Sequence, residues 1–541
     1  MRACYLLFGF FLCTLLVECS KAQNVHEAQL RREKFILSRE KEIHRQLKLE
    51  EDELANSLMK QAHQRKPMKP FRTNPDDIEA LKALYQSTNG AKWNNNTGWL
   101  KGDPCGNPFW WGVYCIDGRV LQINLVYNGL SGHLPAELAK ASALQVFRGY
   151  SNLLQGSIPP EILSMPSLQI FDVNTNYLTG NLPSKISMAN LTYLSLYGNQ
   201  LNGKIPSEWD TPNIKNIELS SNNFTGQLPE SLGKCSSLVE IVVSRNMLTG
   251  TLPASYGDLN NLQRLWLFDN NFDGPSIPSS WRGMKSLQEI QADGLTGEFP
   301  SWIGQSWPNL QVLVLVEGKL TGQIPESLCN CRAMQVLRIF NNSMTGSIPT
   351  CTCDMRKLKD IELSDNSFTG SIPSCIGDIP GIESLVISRT DVSGNFPQTI
   401  GNLRNLSLLD ISSNRMTGYI PNTINYLQEI AGFFVCYNKF STVESGLENF
   451  FNRIKNYGCA FYSNPWSCPV SPEVPKECQA QCSQCNSGDQ HASCSSCVQD
   501  NDCGWCKEGP NCLEGSQDGP ESIYKCLSND WSYGGSDSSC P

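Results

Sequence analysis

The chain has 541 residues, with 43 Lys and Arg against 52 Asp and Glu and a formal charge of −9. That balance argues against a nucleic-acid surface, which needs clustered cations. Five histidines, three of them (His26, His44, His63) in one charged segment, leave little for a catalytic centre. No H-E-x-x-H, G-x-S-x-G or phosphate-binding loop is present.

Residues 1–22 hold one Arg, the apolar run Tyr5–Leu12, and small residues Ser20 and Ala22 ahead of Gln23. They read as a secretory signal peptide, too short for a spanning helix. No later stretch forms a membrane span, and the C-terminus lacks the hydrophobic tail of a glycolipid anchor, so a secreted, soluble chain is expected. Cysteine usage fits: of 24 cysteines, Cys4, Cys13 and Cys19 fall in the signal, and the rest would meet an oxidising compartment. Five sequons mark Asn95, Asn190, Asn223, Asn341 and Asn405 for N-glycosylation.

Residues 23–66 form a charged arm with Leu30, Ile36, Leu37, Ile43, Leu47, Leu54 and Leu58 at helical spacing. With no Gly or Pro before Pro67, one amphipathic helix is expected. Ile36/Ile43 and Leu47/Leu54 keep a seven-residue step for two heptads, so self-association through a short coiled coil stands beside a solvated arm. Residues 67–75 are a linker. Residues 76–119 open on a helix at Asp76–Gln86 and then gather Trp93, Trp99, Cys105, Trp110, Trp111 and Cys115.

Between 120 and 440 one pattern repeats about 14 times, as in L-T-Y-L-S-L-Y-G-N-Q-L-N-G-K-I-P at Leu191–Pro206. Its Asn recurs at Asn128, Asn152, Asn176, Asn199, Asn222, Asn246 and Asn270, then Asn342, Asn366, Asn414 and Asn438, at a period of 23 or 24 residues within each run that passes over Thr390. L-x-x-L-x-L-x-x-N-x-L at that period identifies an α/β leucine-rich repeat solenoid, right-handed, with a parallel concave sheet and capped ends. Gly318 and Thr390 replace the Asn, and the unit at Leu287–Pro300 is short and follows an insertion at Gly274–Ile277, so an irregular bend is expected there.

The trailing G-x-I-P (Gly203–Pro206, Gly418–Pro421) resembles the plant-type subclass, in which it forms a second short strand. The resemblance implies that residues 76–119, with W-x-G-V-x-C at Trp110–Cys115, are the N-terminal cap stapled by Cys105–Cys115. A ligand box is the alternative reading of the tryptophans. Residues 441–470 would close the last coil and 471–480 form a linker. Residues 481–541, containing Cys503-Gly504-Trp505-Cys506, resemble the small cysteine-rich module of plexins, semaphorins and integrins. That resemblance implies the pairs Cys485–Cys503, Cys494–Cys540, Cys497–Cys512 and Cys506–Cys526. The C-x-x-C spacings there also suit zinc or a redox dithiol, but a secreted cysteine-rich segment favours structural disulfides. No metal and no cofactor are expected.

Within the repeats, Cys329/Cys353 and Cys351/Cys375 each lie 24 residues apart, in the same phase of consecutive coils, so bridges Cys329–Cys353 and Cys351–Cys375 are expected. Cys235, Cys331 and Cys436 would remain thiols, and the partners of Cys459, Cys468, Cys478 and Cys482 stay open.

Outward strand positions run Arg148, Asp172, Ser195, Glu218, Val242, Trp266, Gln291, Val314, Arg338, Glu362, Val386 and Asp410. The next column includes Phe268, Val316 and Phe340. Trp266, Phe268, Val314, Val316 and Phe340 are expected as solvent-facing anchors of a ligand site, with Arg338 and Glu362 beside them. The alternative is that the shortened repeat buries them. The resemblance, to ectodomains of plant receptor kinases and to polygalacturonase inhibitors, implies a secreted, non-catalytic recognition protein for an extracellular protein or polysaccharide. A structural wall or matrix component and an inhibitor of a wall-degrading enzyme are the alternatives.

The mature chain is expected to start near Gln23 and to carry N-linked glycans on several of the five sequons. Intact mass before and after deglycosylation decides this, and an unprocessed, glycan-free chain would refute it.

Overall fold

A computed structural model describes residues 72–106 and 109–454, then 459–461, 464 and a few short strands between 504 and 532. The signal peptide, the 23–66 arm and the four pairings expected in the C-terminal module lie outside the described residues. The described chain divides into one unit ending at Leu320 and another beginning at Thr321.

The first unit opens on the helix Pro75–Ser87. Asn74 caps it by accepting from the Asp76 N–H at 2.9 Å, and a proline occupies its first turn. Asp77, wholly buried, accepts from the Val120 N–H at 2.8 Å and pairs with Arg119 at 3.0 Å, tying the helix to the sheet edge. Trp93, Trp99 and Trp110 are buried, with ring centroids 4.8 and 5.0 Å apart in succession. Each indole donates to a backbone carbonyl: Thr88, Trp111 and Lys101 respectively. The tryptophans are therefore cap core rather than a ligand box, and Cys105–Cys115 is bridged beside them.

Val113–Ile116 pairs antiparallel with Arg119–Asn124, and the strands that follow pair parallel with their neighbours within each unit. The first unit holds ten of these strands and the second six. The inward residue of each strand, such as Leu194, Ile217, Ile241 and Leu265, is fully buried between its neighbours.

Asparagine joins one coil to the next. Asn222 Nδ2 donates to the carbonyls of Leu219 and Ser220 in its own coil and of Leu196 in the preceding one. Its Oδ1 accepts from the Leu201 N–H at 3.0 Å. The residue before each such Asn turns left-handed, with φ of 50–55° at Tyr127, Ser151, Thr175, Ser221, Arg245 and Asp269. The second unit repeats the pattern at Asn366, Asn414 and Asn438. It continues to Asn464, which accepts from Phe440 and donates to Val435, so the ladder runs one step into the segment read as a C-terminal cap. Thr390, standing where an Asn is expected, donates its hydroxyl to Asn414 Oδ1 and keeps the chain of bonds intact.

The irregular unit is visible. Glu289–Asp293 is a five-residue strand paired along its whole length with Val312–Val316. The outer sheet of the first unit stops at Asn271–Phe272, and past Gly274 a lone bridge, Pro275 to Thr296, continues it. Gly294 sits at φ +74°, and a Cβ there would lie 2.3 Å from the Phe272 carbonyl, so the shortened coil closes only on a glycine.

The disulfide register differs from the expectation. The bridges are Cys329–Cys351 and Cys353–Cys375, each with Cα atoms 5.8 Å apart, and not Cys329–Cys353 or Cys351–Cys375. The reason lies in the 3-10 turns that follow each G-x-I-P. The fourth residue of one turn meets the second residue of the next: a Cβ on Gly377 would touch the backbone and Cβ of Thr399, and one on Gly401 those of Thr423. Those contacts are 22 residues apart, two residues short of the 24-residue period. Cys329 and Cys353 occupy the fourth position and Cys351 and Cys375 the second. Cys436 is also corrected: it is disulfide-bonded, as is Cys459. Cys235 and Cys331 are buried thiols.

Replacing Asn222 by Ala removes three donated bonds and strands the buried Leu201 N–H. A loss of about 3 kcal/mol is expected in urea unfolding, and a loss under about 0.5 kcal/mol would show that the ladder is dispensable.

Candidate functional site

Alternation along a strand puts residues i, i+2 and i+4 on one side, so three columns face outward rather than the two read from sequence. The third includes Asn216, Glu240 and Arg264, aligned across parallel strands. These residues escaped sequence reading because only the positions flanking the last inward leucine were counted as surface.

In the first unit the outward face is an apolar patch ringed by acids. Trp266 packs against Val242 and Phe268, with its ring centroid 6.2 Å from that of Phe268. Trp266 is 1% exposed, so it is not the solvent-facing anchor expected; Val316 is buried too, while Phe268 and Val314 are half-buried. The Trp266 indole N–H has no hydrogen-bond acceptor among the described residues. The Arg245 guanidinium lies 5.6 Å over the Phe268 ring and 3.4 Å from Asp269.

The acids around this patch are held by the strands themselves. Ser195 donates to Glu218 at 2.7 Å. Glu240 accepts from Asn216 at 3.1 Å and pairs with Arg264 at 3.3 Å. Burial raises the Glu240 carboxyl above its ordinary range, opposed by Arg264. Asp293 Oδ2 accepts from the Asp269 N–H at 2.6 Å, while its Oδ1 is buried without a hydrogen bond. Burial, with the Asp269 charge adding to it, pushes Asp293 up to about 6.

The second unit holds the remaining expected residues, and it uses them differently. Arg338 grips Asp360 with two bonds, 3.1 and 2.6 Å, and lies 3.7 Å from Glu362. All three are buried, so Arg338 and Glu362 form an internal charge cluster. Phe340 is half-buried. Further along, Asp410 accepts from the Ser412 hydroxyl at 2.6 Å, and burial raises its carboxyl above the ordinary range. The expected ligand residues thus fall in two separate units, with Trp266, Phe268, Val314 and Val316 in one and Arg338, Phe340 and Glu362 in the other.

Of the sequons, Asn190, Asn223, Asn341 and Asn405 are exposed and Asn95 is half-buried. Asn190 donates to the Pro166 carbonyl at 2.8 Å, using one of its two amide hydrogens. Among the described residues no group of three or more His, Cys, Asp or Glu is arranged to hold a metal ion. No described helix is long and apolar enough to cross a membrane.

A profile described as Leucine Rich Repeat matches residues 190–211, 213–235, 357–379 and 405–427. No curated protein sequence matches the chain. Among solved structures, a TDR receptor is 25% identical with a TM-score of 0.57, over 63% of this chain and 64% of that chain. This chain therefore spans less than two thirds of that receptor structure's length. The plant peptide hormone receptor RGFR1, solved in complex with RGF2, is 27% identical with a TM-score of 0.51, over 66% of this chain and 68% of that chain. The chain thus carries leucine-rich repeats, and its repeated coil is similar to those of plant receptor ectodomains.

Proposed function

We propose that the chain is a secreted, non-catalytic recognition protein that takes an extracellular peptide or protein segment on the outward sheet face of its first unit. The observation that carries this reading is the patch of Val242, Trp266 and Phe268 set among Glu218, Glu240, Asp269 and Asp293. Phe268 and Asp293, half-buried, and Asp269, exposed, are the members of this patch within reach of a ligand. The surrounding carboxylates select a segment with a cationic side chain or amino terminus next to an apolar one. RGFR1, similar in fold, was solved with a peptide hormone partner, which supports a peptide as the ligand class. Disulfides among the described residues and the expected signal segment support an extracellular setting.

Capture of extracellular peptides by the immobilised mature chain, identified by mass spectrometry, supplies the ligand for titration. Phe268, half-buried, is the anchor to truncate without emptying the core. Phe268→Ala should weaken binding about thirtyfold, equivalent to about 2 kcal/mol, with melting unchanged. Undiminished binding would move the site elsewhere.

Asp293 gives the reading a pH signature. Below about 6 its carboxyl is protonated and neutral, so affinity for a cationic ligand should rise as pH climbs through about 6. Stability moves the opposite way: the raised native value penalises the ionised form, so the fold loses stability as pH rises from about 4 to 6. Asp293→Asn should flatten both profiles. A binding profile that keeps its step in this variant would exclude Asp293 from the site.

A further inference from the structure

The first unit exposes a second surface, its outer sheet, whose chemistry is unlike that of the acidic face. We propose that this outer sheet binds a neutral, extended polysaccharide laid across its strands, at a site separate from the peptide site above and independent of it.

The sheet has seven parallel strands, from Ser131–Gly132 to Asn271–Phe272. Leu154, Leu178, Leu201, Phe224, Leu248 and Phe272 point inward from successive strands and are buried. The residues just before them are Leu153, Tyr177, Gln200, Asn223, Met247 and Asn271, and the residues just after the first five are Gln155, Thr179, Asn202, Thr225 and Thr249. All of these flanking residues are exposed, and none is charged. Lys204, further along its strand, is the only charged residue in the seven strands.

The fold does not forbid charge at these positions. In the second unit the residue after the ladder position is Asp391, Arg415 and Lys439 in three coils, and Arg415 pairs with Asp391 at 2.6 Å. Neutrality is therefore a property of this sheet's own side chains. A face without charge gives an ionic partner nothing to be steered by. Its amides and hydroxyls both donate and accept, which suits a ligand whose rim of hydroxyls does the same.

The surface is also flat. Gly203 and Gly250, at φ +76° and +80°, let amides of the preceding coil lie down over the sheet. A Cβ on Gly203 would sit 2.7 Å from Asn181 Oδ1, and one on Gly250 2.7 Å from Gln227 Nε2. On this level face Tyr177 is 50% exposed and Leu153, one coil earlier, 46%. The electron-rich face of an exposed aromatic ring takes the C–H face of a pyranose, while neighbouring amides meet its hydroxyls.

Period completes the match. Seven strands make six steps of about 4.8 Å, or about 29 Å in all. One step is close to the length of one pyranose unit in an extended chain, so successive sugars meet equivalent positions on successive coils.

Isothermal titration with cellohexaose, mannohexaose and xylohexaose, and with hexagalacturonate as the charged counterpart, tests the proposal. Asn223 is an expected glycosylation site within the face, so the reference is the full mature chain carrying Asn223→Gln, which keeps an amide and removes the attachment point. Saturable binding of at least one neutral hexasaccharide is expected. Adding Tyr177→Ala should weaken it about tenfold with melting unchanged, and Tyr177→Phe should keep it within about twofold. Phe268→Ala, aimed at the peptide site, should leave it unaltered. Four results would each overturn the proposal: no neutral hexasaccharide bound, undiminished affinity in Tyr177→Ala, tighter binding of hexagalacturonate, or loss of sugar binding in Phe268→Ala. Because the two variants address different faces, failure of the peptide reading leaves this result standing, and the reverse holds too.

Discussion

The structure depends on satisfying backbone groups where the chain leaves each strand. A coil that turns into the interior buries carbonyls and N–H groups that no helix or strand can pair. The asparagine amide resolves this with one side chain that donates to three carbonyls and accepts one N–H, two of those four partners belonging to the previous coil at Asn222. Because two of these four bonds cross to the preceding coil, no coil is satisfied alone. The left-handed residue before each Asn follows from the same constraint: the chain must reverse within one residue to bring the amide inward. Even Thr175, a β-branched residue for which that conformation is costly, accepts it at φ 53°.

The ladder was legible in the sequence because its period was, and so were the buried leucines. The departures were physical. A 24-residue period states which residues share a phase, but side chains in the 3-10 turns reach back toward the preceding coil, so the residues that touch are 22 apart and the disulfides followed contact rather than phase. Asn464 falls in the segment read as a C-terminal cap, yet it bonds as its predecessors do. Trp266 looked exposed because it alternates outward, but alternation gives direction and not depth. Glu240 and Arg264 were missed for the converse reason: they alternate outward too, in a column that leucine counting skips.

The two units treat charge in opposite ways. In the second, Arg338 is clasped by Asp360 and approached by Glu362, so most of the field of this cluster is spent internally. In the first, Arg264 answers Glu240 and Arg245 answers Asp269, while Asp293 keeps a buried oxygen that no donor meets. An uncompensated acid beside an aromatic patch is costly for a surface that merely folds, and is better suited to one that receives a partner.

The two inter-coil bridges also act as spacers. At Gly257/Ser280 and Gly401/Thr423 the missing side chain lets adjacent turns approach until an added Cβ would collide with backbone. At Cys329/Cys351 and Cys353/Cys375 the same pair of positions is filled, and the Cα atoms stand 5.8 Å apart. Strand spacing on the opposite side of the coil is fixed near 4.8 Å by hydrogen bonds. The ratio of the two edges sets how far each coil rotates relative to the last. Glycine at the fourth turn position lets the backbone of the next turn come against it, whereas cysteine there ties the two turns covalently, so one position either admits its neighbour or staples it without altering a single residue of the sheet.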